Sequence, residues 1–114
     1  MSRVNAFFNP VLFLFVMLLT LVLCITDAKA QDAASLYKAK CVMCHGADGK
    51  GATPAGKSTG VRSFSSAEVR KETDAELTQV TTKGKAKMPA YENKLTQPQI
   101  TDLVAYIRQL GKSE

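Results

Sequence analysis

Residues 41–45 read Cys-Val-Met-Cys-His, and no other stretch constrains the chain so tightly. Two of its three cysteines and its sole histidine fall within these five residues. Any fold of the chain has to bring these three side chains into one small volume. Side chains three and four apart share one side of a helical turn, so Cys41, Cys44 and His45 can converge on a single object.

The segment in front of the motif reads as a leader rather than as folded protein. Arg3 supplies a positive start. Val11 to Ile25 is an apolar run of fifteen residues broken by one threonine. Ala28-Lys29-Ala30 is a small-x-small cleavage signal before Gln31. Residues 1–30 are therefore expected to be a cleavable secretory signal peptide. A retained membrane anchor is the first rival, but a span needs about 20 apolar residues, and Asn9-Pro10 blocks extension upstream. A lipid anchor on Cys24 is the second; Leu23 stands where a lipidated cysteine usually has a small neighbour. Removing 30 of the 114 residues leaves 84, residues 31–114, as one domain. The formal charge of +5 becomes +4, because Arg3 and Lys29 leave together with Asp27.

A domain of that size is near the lower limit for a self-sufficient apolar core and often recruits a metal, a disulfide or a cofactor. Cys24 leaves with the leader, so Cys41 and Cys44 remain. Exported cysteines rarely stay free. A disulfide between them would close a very short loop and add little stability. A structural zinc site wants four ligands, and this cluster offers three. A thioredoxin-like redox pair wants a βαβ setting. Cys-x-x-Cys-His instead suits covalent haem attachment. Both sulfurs can add to the vinyl groups along one porphyrin edge while the imidazole faces the iron. Gly46 would let the backbone pass close to the porphyrin. The apolar plate would also supply the core that so short a chain lacks.

The rest reads as helices joined by loops, with no alternating β-branched run. Asp32 is expected to cap a first helix over 32–41. Gly46 to Gly60 holds five glycines and a proline and reads as a loop. Ser65 with Glu68, Thr73 with Glu76, and Thr96 with Gln99 have capping-box spacing. Gly84 fits the end of the second of these helices. Residues 85–94 read as another loop. In the last helix Leu95 and Ile100 form a hydrophobic staple and Pro98 lies in the first turn. Ile100, Leu103, Val104, Ile107 and Leu110 make its apolar stripe, and Gly111 ends it. That stripe is expected to pack on the first helix.

His45 leaves a second axial position on an iron. Outside the leader the methionines are Met43 and Met88. Met43 lies inside the attachment turn and is expected to point away from the iron. Met88, followed by Pro89, sits in the second loop. It is a candidate axial ligand, with core packing as its other reading.

Three stretches together, "YKAKCVMCHGADGKG", "TKGKAKMPAY" and "LTQPQITDLVAYIRQLGK", resemble the small soluble class I cytochromes c of bacteria, most of all single-haem carriers of the cytochrome c6 kind. The resemblance covers Asp32 to Lys112. It implies an all-α fold of a few short helices around one covalently bound haem c. It implies thioethers at Cys41 and Cys44, His45 and Met88 as axial ligands of the haem iron, and electron transfer as the task. It further implies a proline carbonyl, from Pro54, orienting His45, and Tyr106 packed where the first and last helices cross. Arg62 and Lys57 are candidates to meet the haem propionates.

With both axial positions filled, no site remains for a small-molecule substrate, and a non-enzymatic monomeric carrier in the periplasm is the expected role. Lys83, Lys85 and Lys87 precede Met88 and suggest a docking face for redox partners with acidic patches. A solvated loop is the plainer reading of the same lysines. The charge is too weak and dispersed for nucleic acid. Other roles need other chemistry. A gas sensor needs a displaceable Met88, and a peroxidase needs an open iron and a distal acid–base group. A dedicated haem subunit of a respiratory dehydrogenase or oxidase would share the carrier's chemistry.

Overall fold

The computed structural model describes residues 9–113. Arg3 lies outside the described residues, as do the side chains of Leu23, Cys24, Ala28 and Lys29. Six helices follow one another: α1 (Pro10–Lys40), α2 (Val42–His45), α3 (Pro54–Thr59), α4 (Ala67–Lys71), α5 (Asp74–Lys83) and α6 (Gln97–Leu110). Among the described residues there is no strand; a single backbone bridge joins Lys85 and Met88. The architecture is all-α, as the sequence leads one to expect.

The first helix starts earlier than expected. It begins at Asn9, whose side chain accepts from the Val11 N–H, with Pro10 in the first position. It then runs through Asp32, which caps nothing. Between Val11 and Lys40 there is no glycine or proline to stop propagation, so a helix nucleated upstream simply continues. Val11 to Leu19 and Leu21 expose their apolar side chains, apart from the polar Thr20 between them. The radius of gyration is 20.6 Å, against about 13 Å for a compact domain of about 100 residues, so this first half of α1 projects from the body. Among the described residues no helix is long and apolar enough to cross a membrane.

The second half of α1 joins the core. It packs on α6, which also packs on α5, while α2 lies against α3. Tyr37 of α1 and Ile100 and Leu103 of α6 are almost wholly buried. Tyr106 meets Tyr37 at the α1–α6 crossing, ring centroids 5.3 Å apart and tilted by 57°, as the resemblance implied. Both capping boxes at Thr73/Glu76 and Thr96/Gln99 are formed. Hydrogen bonds from Thr73 hold the exposed Glu76 carboxyl below the usual carboxylate range. Gly111 ends α6 in an ordinary right-handed conformation. Its role is closeness, since a Cβ there would lie 2.7 Å from the Phe64 carbonyl oxygen.

Two local expectations need correction. The Gly46–Gly60 loop contains α3. Thr53 caps it by accepting from the Gly56 N–H at 2.9 Å, Pro54 takes the first position, and Gly60 closes it at φ 69°. The density of glycines hid a cap-proline-glycine pattern that is itself a helix signal. In α4 the cap is Ser66, not Ser65. Ser65 instead pairs its hydroxyl with that of Ser63 at 2.8 Å, so Glu68 falls one place short of a capping box.

The α1–α6 seam carries most of the apolar core. Ile100→Ala should therefore lower unfolding free energy by about 2–5 kcal/mol, the usual loss for an isoleucine cut from a close-packed core. Denaturant titration followed by far-ultraviolet circular dichroism measures it. A loss below about 1 kcal/mol would mean that the seam is looser than its burial indicates.

Candidate functional site

Cys41 ends α1, and α2 carries Cys44 and His45. The backbone stays helical across the join: the His45 N–H donates to the Cys41 carbonyl at 2.9 Å and the Gly46 N–H to the Val42 carbonyl at 2.9 Å. Both cysteines are free and half-buried. Burial pushes the Cys41 thiol up to about 11, with the charge of Cys44 adding to it. That is the reverse of the lowered thiol of a redox Cys-x-x-Cys pair. Burial holds the His45 imidazole below its ordinary pKa, so it is neutral, the form that ligates metals. Its ring stacks on Phe64 at 4.8 Å. Its Nδ1 is buried and has no hydrogen-bond partner.

Pro54, the expected orienting residue, takes the first position of α3, and the His45 Nδ1 meets no hydrogen-bond partner among the described residues. Other residues support the turn, and the sequence did not single them out for it. The Thr53 hydroxyl lies 2.8 Å from the Met43 carbonyl oxygen and 3.0 Å from that of Cys44. The Gly51 N–H donates to the His45 carbonyl at 2.8 Å. Tyr37 donates its phenol to the Gly46 carbonyl at 2.7 Å, and Tyr91 donates to the Lys40 carbonyl at 3.1 Å. Burial raises the pKa of both phenols, so both remain donors. Only Thr53 had a readable signal, as a threonine before a helix-starting proline. Nothing in the sequence couples a phenol to a carbonyl 51 residues away.

A cavity of about 440 Å³ opens beside this turn. Cys41, Cys44 and His45 line it together with Met88 and Pro89 from the second loop. Its walls are largely apolar: Val69, Leu77, Val80, Leu95, Leu103 and Ile107 among others. The volume lies in the range of small-molecule and cofactor sites, about 300–1,000 Å³. Met43 lies at the rim of the cavity and is 78% exposed. Of the two propionate candidates, Arg62 lines the cavity and pairs with Glu72 at 2.9 Å, whereas Lys57 is not among the lining residues. Glu72 lines the cavity too, and its second carboxylate oxygen is buried without a partner.

The three lysines before Met88 are not equivalent. Lys85 and Lys87 line the cavity. Lys87 donates to the Ser58 carbonyl at 3.2 Å, while Lys83 forms an ion pair with Glu92. The basic rim therefore consists of Lys85 and Lys87, joined by Lys40 from the end of α1.

Two free thiols, a neutral imidazole and a thioether lining one apolar cavity form a donor set that fits a covalently held haem. Comparison with known proteins agrees. A solved structure, the KustC0563 c-type cytochrome, is similar at 32% identity and a TM-score of 0.65, over 70% of this chain and 98% of that one. No curated protein matches. The fold and site define a small all-α c-type cytochrome, a class that carries haem c bound covalently with its iron and serves electron transfer. Residues 28–107 match the model of the family described as cytochrome c oxidase, cbb3-type, subunit III, and the chain belongs to that family.

Gly56 holds α3 against the attachment turn. A Cβ there would lie 2.3 Å from the Cys44 carbonyl oxygen and 2.4 Å from that of Gly51. Gly56→Ala should therefore push the turn and α3 apart, destabilising the protein by about 1–3 kcal/mol, typical of overpacking. It should also lower the fraction of chains that acquire haem covalently. Intact-mass spectrometry and denaturant unfolding read the two effects. Wild-type values for both would show that α3 yields freely.

Proposed function

We propose that the chain is an exported single-haem electron carrier of the periplasm. Cys41 and Cys44 would make the two thioether bonds to the haem, and His45 and Met88 would hold its iron. One observation carries this reading: a single apolar cavity collects both cysteines, the sole histidine and Met88. Haem iron supplies a reversible one-electron change, and a His/Met ligand pair raises its potential. The chain's own residues do the rest. His45 offers a neutral nitrogen because burial disfavours its charged form. The Met88 thioether is soft and favours the reduced metal. The apolar walls disfavour the extra positive charge of the oxidised state. With both axial positions filled, neither substrate nor gas has a place to bind, so the chain acts as a carrier and not as an enzyme.

The leader is read as a cleavable signal peptide over 1–30, with a retained anchor as the alternative. The carrier is a monomer that docks transiently on redox partners bearing acidic patches, using the rim formed by Lys40, Lys85 and Lys87. The family match supports a second reading, in which the same domain serves as a haem subunit of a membrane oxidase complex or docks on one. Purification of the wild-type protein from solubilised membranes and from periplasmic extract separates the two.

Met88→Ala tests the ligand set. The haem should stay attached, because the thioethers are untouched. The ferric far-red band of sulfur–iron bonding should disappear, the potential should fall, and the reduced form should bind carbon monoxide readily. A wild type that lacks this band and binds carbon monoxide equally well would overturn Met88 as ligand and favour a sensor.

The basic rim is tested by the anionic oxidant ferricyanide. Changing both Lys85 and Lys87 to Gln should slow oxidation of the reduced protein by about three- to tenfold at low salt, a modest share of the range electrostatic steering covers. Lys83→Gln should change the rate less, because Lys83 does not line the cavity. The difference should fade as the Debye length falls from about 10 Å at 0.1 M to about 3 Å at 1 M salt. Stopped-flow rates that are equal at low salt would move the electron exit elsewhere.

A further inference from the structure

Tyr91 is three residues beyond Met88 and is almost wholly buried. Its ring lines the same cavity as Met88 and His45. Its backbone N–H donates to the carbonyls of Thr81 and Thr82, at 3.2 and 3.1 Å, which ties the end of the methionine loop to α5. Its phenol reaches the other way and donates to the carbonyl of Lys40, the residue just before Cys41, at 3.1 Å. One side chain thus spans from the loop that carries Met88 to the turn that carries the cysteines and His45. Elsewhere the methionine loop is held locally. Lys85 and Met88 exchange two backbone bonds, and Ala86 sits at φ 53°, a left-handed conformation that a non-glycine residue adopts only when its surroundings impose it. Lys87 adds an exposed bond to Ser58.

We propose that Tyr91 is a positioning residue for the sixth ligand: its phenol–Lys40 hydrogen bond sets the gap between the methionine loop and the attachment turn, and so keeps Met88 on the iron. The inference rests on Met88 being that ligand. A part-buried hydrogen bond between groups 51 residues apart opposes separation of the two walls, because parting them costs that bond. The strained backbone at Ala86 gives the loop a reason to relax outward once this tie is removed.

Tyr91→Phe keeps the ring and deletes only the donor. In the holoprotein the haem should remain attached. The far-red thioether–iron band should vanish on heating well before far-ultraviolet circular dichroism reports unfolding, whereas in wild type the two should fall closer together. Carbon monoxide should combine with the reduced form about three- to tenfold faster, the size of one lost hydrogen bond. Tyr37→Phe is the control. It too removes a buried phenol bonded to a carbonyl beside the attachment turn, but its bond ties α1 to the turn and not the methionine loop to the turn. It should lower the unfolding midpoint and leave the gap between the two transitions as in wild type. If wild type shows the band and Tyr91→Phe loses it only in step with global unfolding, the proposal fails while Met88 stands. Equal opening of the sixth position by both variants would likewise overturn it. A wild type without the band would instead refute the ligand assignment on which it rests.

Discussion

The rest of the structure depends on the immobilised turn between Lys40 and Gly46. A helical turn four residues long has no stability of its own. Here its carbonyls are taken up from outside: Lys40 by Tyr91, Met43 and Cys44 by Thr53, His45 by the Gly51 N–H, Gly46 by Tyr37. These donors come from α1, from the loop before α3 and from the loop after Met88. Forming the turn and closing the fold are consequently one event. The side chains it carries face a cavity whose walls come from α4, α5 and α6.

That cavity is also the fold's weakness. The α1–α6 seam is well buried, yet several apolar residues of the core cluster, Val69, Leu77, Leu95 and Leu103 among them, also line the cavity. A domain of this size has little apolar surface to spare. A large flat cofactor is the natural filling, and covalent attachment through the turn makes it a permanent part of the core. Membership of a c-type cytochrome family and the need to complete a small core are two sides of one constraint.

The electrostatics are arranged around the cavity by burial more than by charge pairing. Desolvation keeps His45 neutral and Cys41 protonated. The charges gather at the rim, in Lys40, Lys85, Lys87 and the Arg62–Glu72 pair. A redox centre set in apolar surroundings favours the reduced state. The ion pair of Lys83 with Glu92 withdraws one of the three lysines from that rim, which spacing along the chain does not reveal.

The sequence by itself determined the chemistry and the helical class. Cys41, Cys44 and His45 were legible because their spacing is a local property of one turn. Met88 was singled out because few other candidate ligands exist, and folding places it on the same cavity as His45. α5 and α6 were legible because their caps and apolar stripes obey short-range rules. What only the tertiary structure decided is long-range. Tyr37 and Tyr91 read as ordinary core aromatics until folding brings them to carbonyls 9 and 51 residues away. Pro54 matched a family position by order in the chain, and folding makes it the first residue of α3. Asp32 has all the features of a cap, and a helix arriving from upstream overrides it. Short-range signals report what a segment can do; which of those options it takes depends on the partners that folding supplies.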